Sequence, residues 1–134
     1  LIHQTQIKVR GYHLDIYQHV NNARYLEFLE EARWAALETT GDIEYFAKAG
    51  LAWVIVNINI NYRSAATMGQ TLNIATKLAK IGSKSAVFHQ EVTIDGTDTV
   101  VADADITFVV LDQKTGKPVE IDGEIKARLA SQLS

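Results

Sequence analysis

The apolar positions of this chain change period along its length. Ile7 and Val9 alternate with Lys8 and Arg10, which predicts a short first strand, and Gly11 then admits a loop reaching to about Val20. From Asn21 or Asn22 to about Leu37, apolar residues fall at Tyr25, Leu26, Leu29, Ala32, Ala36 and Leu37, the spacing of one helical face. Asparagine suits the start of such a helix because its side-chain oxygen accepts an orphan first-turn N–H. "DIEYFAKAG" predicts a second, shorter helix that begins at Asp42 and stops at Gly50.

Beyond Gly50 the period becomes two. Val54, Val56, Ile58, Ile60 and Tyr62 alternate with Ile55, Asn57, Asn59 and Asn61, a strand with one face toward a core. Leu72, Ile74, Thr76 and Leu78 repeat the pattern up to a turn at Gly82. Phe88, Val92 and Ile94 follow, and Asp95-Gly96 offers a hairpin turn. Ala102, Ala104, Ile106, Phe108 and Val110 make a long last strand, and Asp122 is placed to cap a short helix carrying Ile125 and Leu129. The order is strand, long helix, short helix, then four long strands expected as a meander, which is α+β rather than βαβ. A curved antiparallel sheet of such strands is long enough to wrap the long helix. Arg24, Glu27, Glu30, Glu31 and Arg33 on that helix require that one side stay open or that charges be paired.

At 134 residues, with no repeat, linker or low-complexity tract, residues 1–134 read as a single domain large enough to bury a core. Cysteine is absent, so disulfides, thiolate metal sites and a cysteine nucleophile are excluded and an intracellular compartment is permitted. Lys+Arg 13 against Asp+Glu 16 leaves no basic excess to neutralise a nucleic-acid backbone. No apolar run approaches the ~20 residues of a membrane span.

Candidate chemistry gathers in "HLDIYQHVNN", residues 13–22. His13, Asp15 and His19 are possible metal ligands, but their spacing matches no recognised ligand set, and His89 is the one other imidazole within the body of the fold. Asp15 has a sharper use. Unpaired first-turn amides and the helix dipole place partial positive charge at the start of the long helix, where an oxyanion could form beside an attacking carboxylate. On local grounds alone, Asp15 is equally readable as a turn residue ahead of an asparagine cap.

"DIYQHVNNARYLEFLEEAR" resembles the signature of hotdog-fold acyl-CoA thioesterases of the 4-hydroxybenzoyl-CoA thioesterase type, most strongly the bacterial long-chain group. "NYRSAATMGQTL", from Asn61 to Leu72, resembles the second landmark of that family, and the order of elements agrees over nearly the whole chain. Two departures, Ser64 where proline is common and Gln70 where aspartate is common, touch a turn rather than the proposed chemistry.

The resemblance implies a cytoplasmic enzyme without metal or redox cofactor that hydrolyses acyl-CoA thioesters of medium to long chain. Asp15 aligns with the catalytic carboxylate of the family, as nucleophile or general base, and the backbone N–H of Asn22 with its oxyanion donor. His19 falls in the loop that approaches the thioester. Tyr25, with Phe28, Leu29 and Trp53, would line the acyl chain's path along the helix; Arg63, Lys84 and Ser85 would meet the coenzyme A phosphates, with "GSKS" aligned to the nucleotide turn. Members build the site between two subunits joined edge to edge, so a homodimer or dimer of dimers is expected. Glu30 is a competing carboxylate, since some hotdog thioesterases carry the acid on the helix; its plainer reading is a spaced pair with Arg33. A hotdog hydratase or dehydratase using His19 and Asp15, and a non-catalytic acyl-CoA or acyl-carrier-protein binder, are the alternative functions.

Overall fold

The computed structural model describes residues 1–133. Strand β1 (Ile2–Lys8) leads through a short 3-10 turn (Gly11–His13) to α1 (Asn22–Glu38) and α2 (Asp42–Lys48). Then come β2 (Leu51–Tyr62), β3 (Thr71–Ile81), β4 (Ser85–Ile94), β5 (Val100–Asp112), a two-residue β6 (Lys117–Pro118) and α3 (Gly123–Ala130). The strands form one antiparallel sheet in the order β1-β3-β4-β5-β2, with β6 beside β5. It curls around α1, the arrangement that the resemblance implied.

Alternation fixes which face of the sheet is buried. Leu72, Ile74, Thr76 and Leu78 on β3, Phe88, Gln90 and Val92 on β4, and Ala104, Ile106, Phe108 and Val110 on β5 are all buried. Against them α1 places Tyr25, Phe28, Leu29 and Ala32. Each such large side chain contributes roughly 1.5–3 kcal/mol on leaving water. An aromatic stack thickens one end of this core: Trp53 lies 4.5 Å from Phe108 and 5.1 Å from Phe46, centroid to centroid. The opposite face is polar, with Lys77, His89, Asp105 and Asn59 in one cross-strand row.

Three expectations need correction. The four long strands are not a simple meander: β3, β4 and β5 are, but β2 crosses to the far side of β5 and becomes an edge. The intervening α1 and α2 leave β2 at that side, and β1 takes the place next to β3 that a meander would give to β2. The first strand is also longer, because His3, Thr5 and Ile7 are half-buried in register with β3, while Val9 is buried just past its end. Finally, β2 does not present one unbroken face. Its register shifts between Ile55 and Asn57, so Trp53 and Ile55 face inward before the bulge, and Ile60 and Tyr62 pack inward after it.

The two shorter helices brace each other. Gly50, at φ 70, takes the left-handed conformation that ends α2. Asp122 is the N-cap of α3 by position, but its side chain makes no capping hydrogen bond. Asp42 is only 2% exposed and accepts from Arg128, at 3.1 Å, and from Gln132. The Arg128 guanidinium also sits 3.9 Å over the Tyr45 ring, which locks α3 onto α2.

Candidate active site

Asn21, not Asn22, is the N-cap of α1: its Oδ1 accepts the Ala23 N–H at 2.9 Å and its carbonyl accepts the Arg24 N–H at 2.9 Å. Asn22 is therefore the first helical residue, and its own N–H has no acceptor among the described residues. The preceding loop folds back on itself through an antiparallel bridge between Leu14 and Val20. Within that bridge the Asp15 N–H donates to the His19 carbonyl at 2.9 Å and the Gln18 N–H to the Asp15 carbonyl at 3.0 Å. Gln18 adopts φ 64, a left-handed conformation uncommon for a side chain of its size, to close the turn.

The turn aims the carboxylate. Asp15 Oδ1 accepts the Tyr17 N–H at 2.8 Å and the His19 N–H at 3.4 Å, while Oδ2 has no partner among the described residues. Asp15 thus has one oxygen held by backbone and one available, in the loop that leads into the helix with the unspent amide. The loop is tied to the second landmark of the sequence: Val20 N–H donates to the Ala66 carbonyl at 2.9 Å, and Val9 exchanges hydrogen bonds with Gln70 and Gly69, each at 2.9 Å. The two motifs that carried the resemblance form one backbone-bonded unit.

His13 and His19 separate in role. His13 is buried against Phe28, and its Nδ1 accepts the Arg10 N–H at 2.9 Å. Burial first, and then the nearby Arg24, push its imidazole below the ordinary value. His19 is exposed in the Asp15 turn. Among the described residues no three His, Asp or Glu side chains gather as a metal site would need.

Tyr25 lies buried in the first turns of α1, its hydroxyl without a partner among the described residues, and burial raises its pKa to about 12, with Tyr62 adding to the shift. The proposed phosphate-binding residues are not brought together. Arg63, at the end of β2, is ion-paired with Asp103; that bond raises the guanidinium and lowers the carboxyl. Lys84 and Ser85 lie at the opposite end of the sheet, since Ser85 pairs with Val109, six positions along β5 from Asp103 and about 20 Å away. Lys84 is exposed, with Glu120 at 3.9 Å.

Glu30 and Arg33 do not pair. The Glu30 carboxylate accepts from Trp34 at 3.4 Å, whereas Arg33 donates to Gln90 Oε1 at 3.1 Å. Gln90 in turn donates to the Leu29 carbonyl at 3.0 Å and to the Thr76 hydroxyl at 2.9 Å, so one buried amide ties α1 to the middle of the sheet. The open side of α1 ends in a cavity of about 390 Å³ walled by Trp34, Leu37, Ile43, Phe46, Trp53 and Ile55. It lies beside the C-terminal half of the helix and does not include Asp15 or Asn22. Pattern reading missed Gln90 and Tyr62; the signal for Gln90 was a polar residue at a core-facing position between Phe88 and Val92.

Residues 9–129 match the profile of the thioesterase-like superfamily. The chain belongs to that superfamily. It is 52% identical over 130 residues to the long-chain acyl-CoA thioesterase FadM of Escherichia coli strain K12, covering 97% of this chain and 98% of the relative. The crystal structure of YbaW, a probable thioesterase from Escherichia coli, superposes with a TM-score of 0.93 at 50% identity, over 98% of both chains. The fold extends to far more distant sequences: the Staphylococcus aureus protein SAV2348, solved in complex with CoA, has a TM-score of 0.87 at 11% identity, over 100% of this chain and 87% of that one.

Proposed function

We propose that this member of the superfamily hydrolyses acyl-CoA thioesters of medium to long chain, with Asp15 as the catalytic carboxylate and the Asn22 N–H as oxyanion donor. The observation that carries this reading is a carboxylate with a free oxygen in a turn that closes, through the Leu14–Val20 bridge, two residues ahead of a helix whose first amide is unspent. The thioester carbonyl would accept from Asn22, which stabilises the charge that develops as the carbon becomes tetrahedral. Asp15 then either takes a proton from an attacking water or adds to the carbonyl to give a mixed anhydride that water cleaves. In both routes the carbon–sulfur bond breaks and the CoA thiolate leaves with a proton taken from solvent. His19 stands exposed in the same turn, in the loop that would approach the thioester.

The length of α1 supports a long acyl chain. From Asn22 to the cavity beside Arg33 and Leu37 is eleven to fifteen residues, about 16–22 Å at the rise of an α-helix. An extended acyl chain advances roughly 1.25 Å per carbon, so about 13 to 18 carbons span that distance from a carbonyl at Asn22. The name of the Escherichia coli relative supports the same class. Tyr25 walls the start of that path. Lys84 and Ser85 are the nucleotide-facing candidates, while Arg63 would have to leave Asp103 to serve there.

A second copy of the chain would complete the cleft across β2, whose twelve residues form an edge with Val54, Val56 and Ile58 exposed. Sedimentation at the mass of a single chain would remove that part of the proposal. A cytoplasmic setting, where CoA esters are met, fits a chain in which no described helix is long and apolar enough to cross a membrane.

The test is thiol release from a series of saturated acyl-CoAs. kcat/KM is expected to rise until the chain reaches about 13 to 18 carbons and then level off. Binding without release at every length would favour a carrier, and turnover confined to an enoyl thioester without thiol release would favour a hydratase.

A further inference from the structure

Strand β2 ends against the foot of α1, and the contact there is made by a side chain to which no role has yet been given. The Tyr62 hydroxyl donates to the Asn22 carbonyl at 3.1 Å. Its ring lies against Tyr25, with centroids 5.8 Å apart. Asn22 is the residue whose N–H the proposed reaction uses, and as the first residue of the helix it has no intrahelical bond on that N–H to fix its direction. That N–H belongs to the Asn21–Asn22 peptide, whose carbonyl is held by the Arg24 N–H, and Tyr62 restrains the next peptide along, so Asn22 is gripped on both sides of its Cα.

Tyr62 is itself held from the other face of the strand. Side chains alternate across a strand, so Asn61 and Arg63 point away from α1. Both reach the same carboxylate on β5: Asn61 Nδ2 donates to Asp103 Oδ1 at 3.0 Å, and the Arg63 guanidinium donates to both Asp103 oxygens. The Arg63 N–H also donates to the Val101 carbonyl at 2.9 Å. One carboxylate thus grips the residue on either side of Tyr62, which leaves the tyrosine little freedom to swing from Asn22.

The geometry points to Tyr62 as a positioning residue for the oxyanion donor, with Asp103 acting through Asn61 and Arg63 to hold Tyr62 in place. The inference deepens the thioesterase reading and rests on it. Tyr62 is 44% exposed, so removing its hydroxyl opens no buried cavity and leaves the ring contact with Tyr25 intact. A small misdirection of an oxyanion donor lowers the rate of the chemical step more than it lowers ground-state binding. The contact also links the edge strand to the reacting centre, so whatever pairs with β2 bears on the direction of that amide.

Tyr62→Phe, Asp103→Ala and the double variant test this through kcat, KM and amide hydrogen exchange in the first turn of α1. Tyr62→Phe is expected to lower kcat about five- to tenfold with KM changed by less than about twofold, and to speed exchange at Ala23 and Arg24. Asp103→Ala should move the same quantities in the same direction by less, and the double variant should be no slower than Tyr62→Phe, because both act through one contact. Unchanged kcat and exchange in Tyr62→Phe, or two losses that multiply in full, would overturn the inference. If the wild-type protein released no thiol from any acyl-CoA, the thioesterase reading would fall, and the exchange rates alone would still decide whether Tyr62 holds the start of the helix.

Discussion

His13 is 8% exposed, and its Nδ1 is occupied by the Arg10 N–H, so protonating that nitrogen breaks a hydrogen bond and adds charge to a buried ring near Arg24 and Arg10, which Glu27 only partly offsets. Its folded-state pKa lies below the unfolded value near 6.5, which means that the unfolded chain binds the proton more readily. Stability is therefore complete above that value and declines as pH falls through the window just beneath it. Urea midpoints should drop between neutral pH and mildly acid pH in the wild type and drop less in His13→Asn, whose side-chain oxygen can take the Arg10 N–H. An equal drop in both proteins would remove His13 as the cause. Asp103 titrates elsewhere: held below the usual carboxylate range by Arg63, it contributes above its unfolded pKa and loses that contribution only at more acid pH. The sequence singled out Asp15 through the family resemblance of the stretch from Asp15 to Arg33, since on local grounds it is equally a turn residue. It did not reveal Tyr62, whose partner is forty positions away and is a main-chain carbonyl that no side-chain pattern marks.

The long helix and the strands were legible from their periods, because a helix face or a sheet face buried on one side imposes its spacing on the chain. What the period could not carry was the bulge near Val56, where one extra residue moves the inward face from Trp53 and Ile55 to Ile60 and Tyr62. Nor could it carry the partner of Arg33, which had been sought along the helix at Glu30 and was found on β4 at Gln90. Gln90 is 0% exposed, and three groups depend on it: the Arg33 guanidinium, the Thr76 hydroxyl and the Leu29 carbonyl. Burial already depresses the Arg33 pKa, so the guanidinium has little water to replace a lost acceptor. Gln90→Leu fills the same space but strands these groups, and should cost about 1–3 kcal/mol, read as a lower urea midpoint with an unchanged slope. A midpoint that does not move would show that the network carries no net stability.

Strand order was the least legible level, since apolar alternation gives each strand a buried face but does not name its neighbour. The placement of β2 at the edge, beside β5 instead of β3, sets three features together. It leaves a long strand edge unpaired among the described residues, walls the cavity with Trp53 and Ile55, and brings Tyr62 to the foot of α1. The last two bear on α1, the helix whose start carries the proposed oxyanion donor. The most direct test is therefore kcat/KM for tetradecanoyl-CoA in wild type, Asp15→Asn and Glu30→Gln, each checked for an unchanged melting temperature. With Asp15 as the catalytic carboxylate, Asp15→Asn falls about 10²- to 10⁴-fold while Glu30→Gln stays within about tenfold of wild type; retained turnover in Asp15→Asn together with collapse in Glu30→Gln would move the chemistry onto the helix and contradict it.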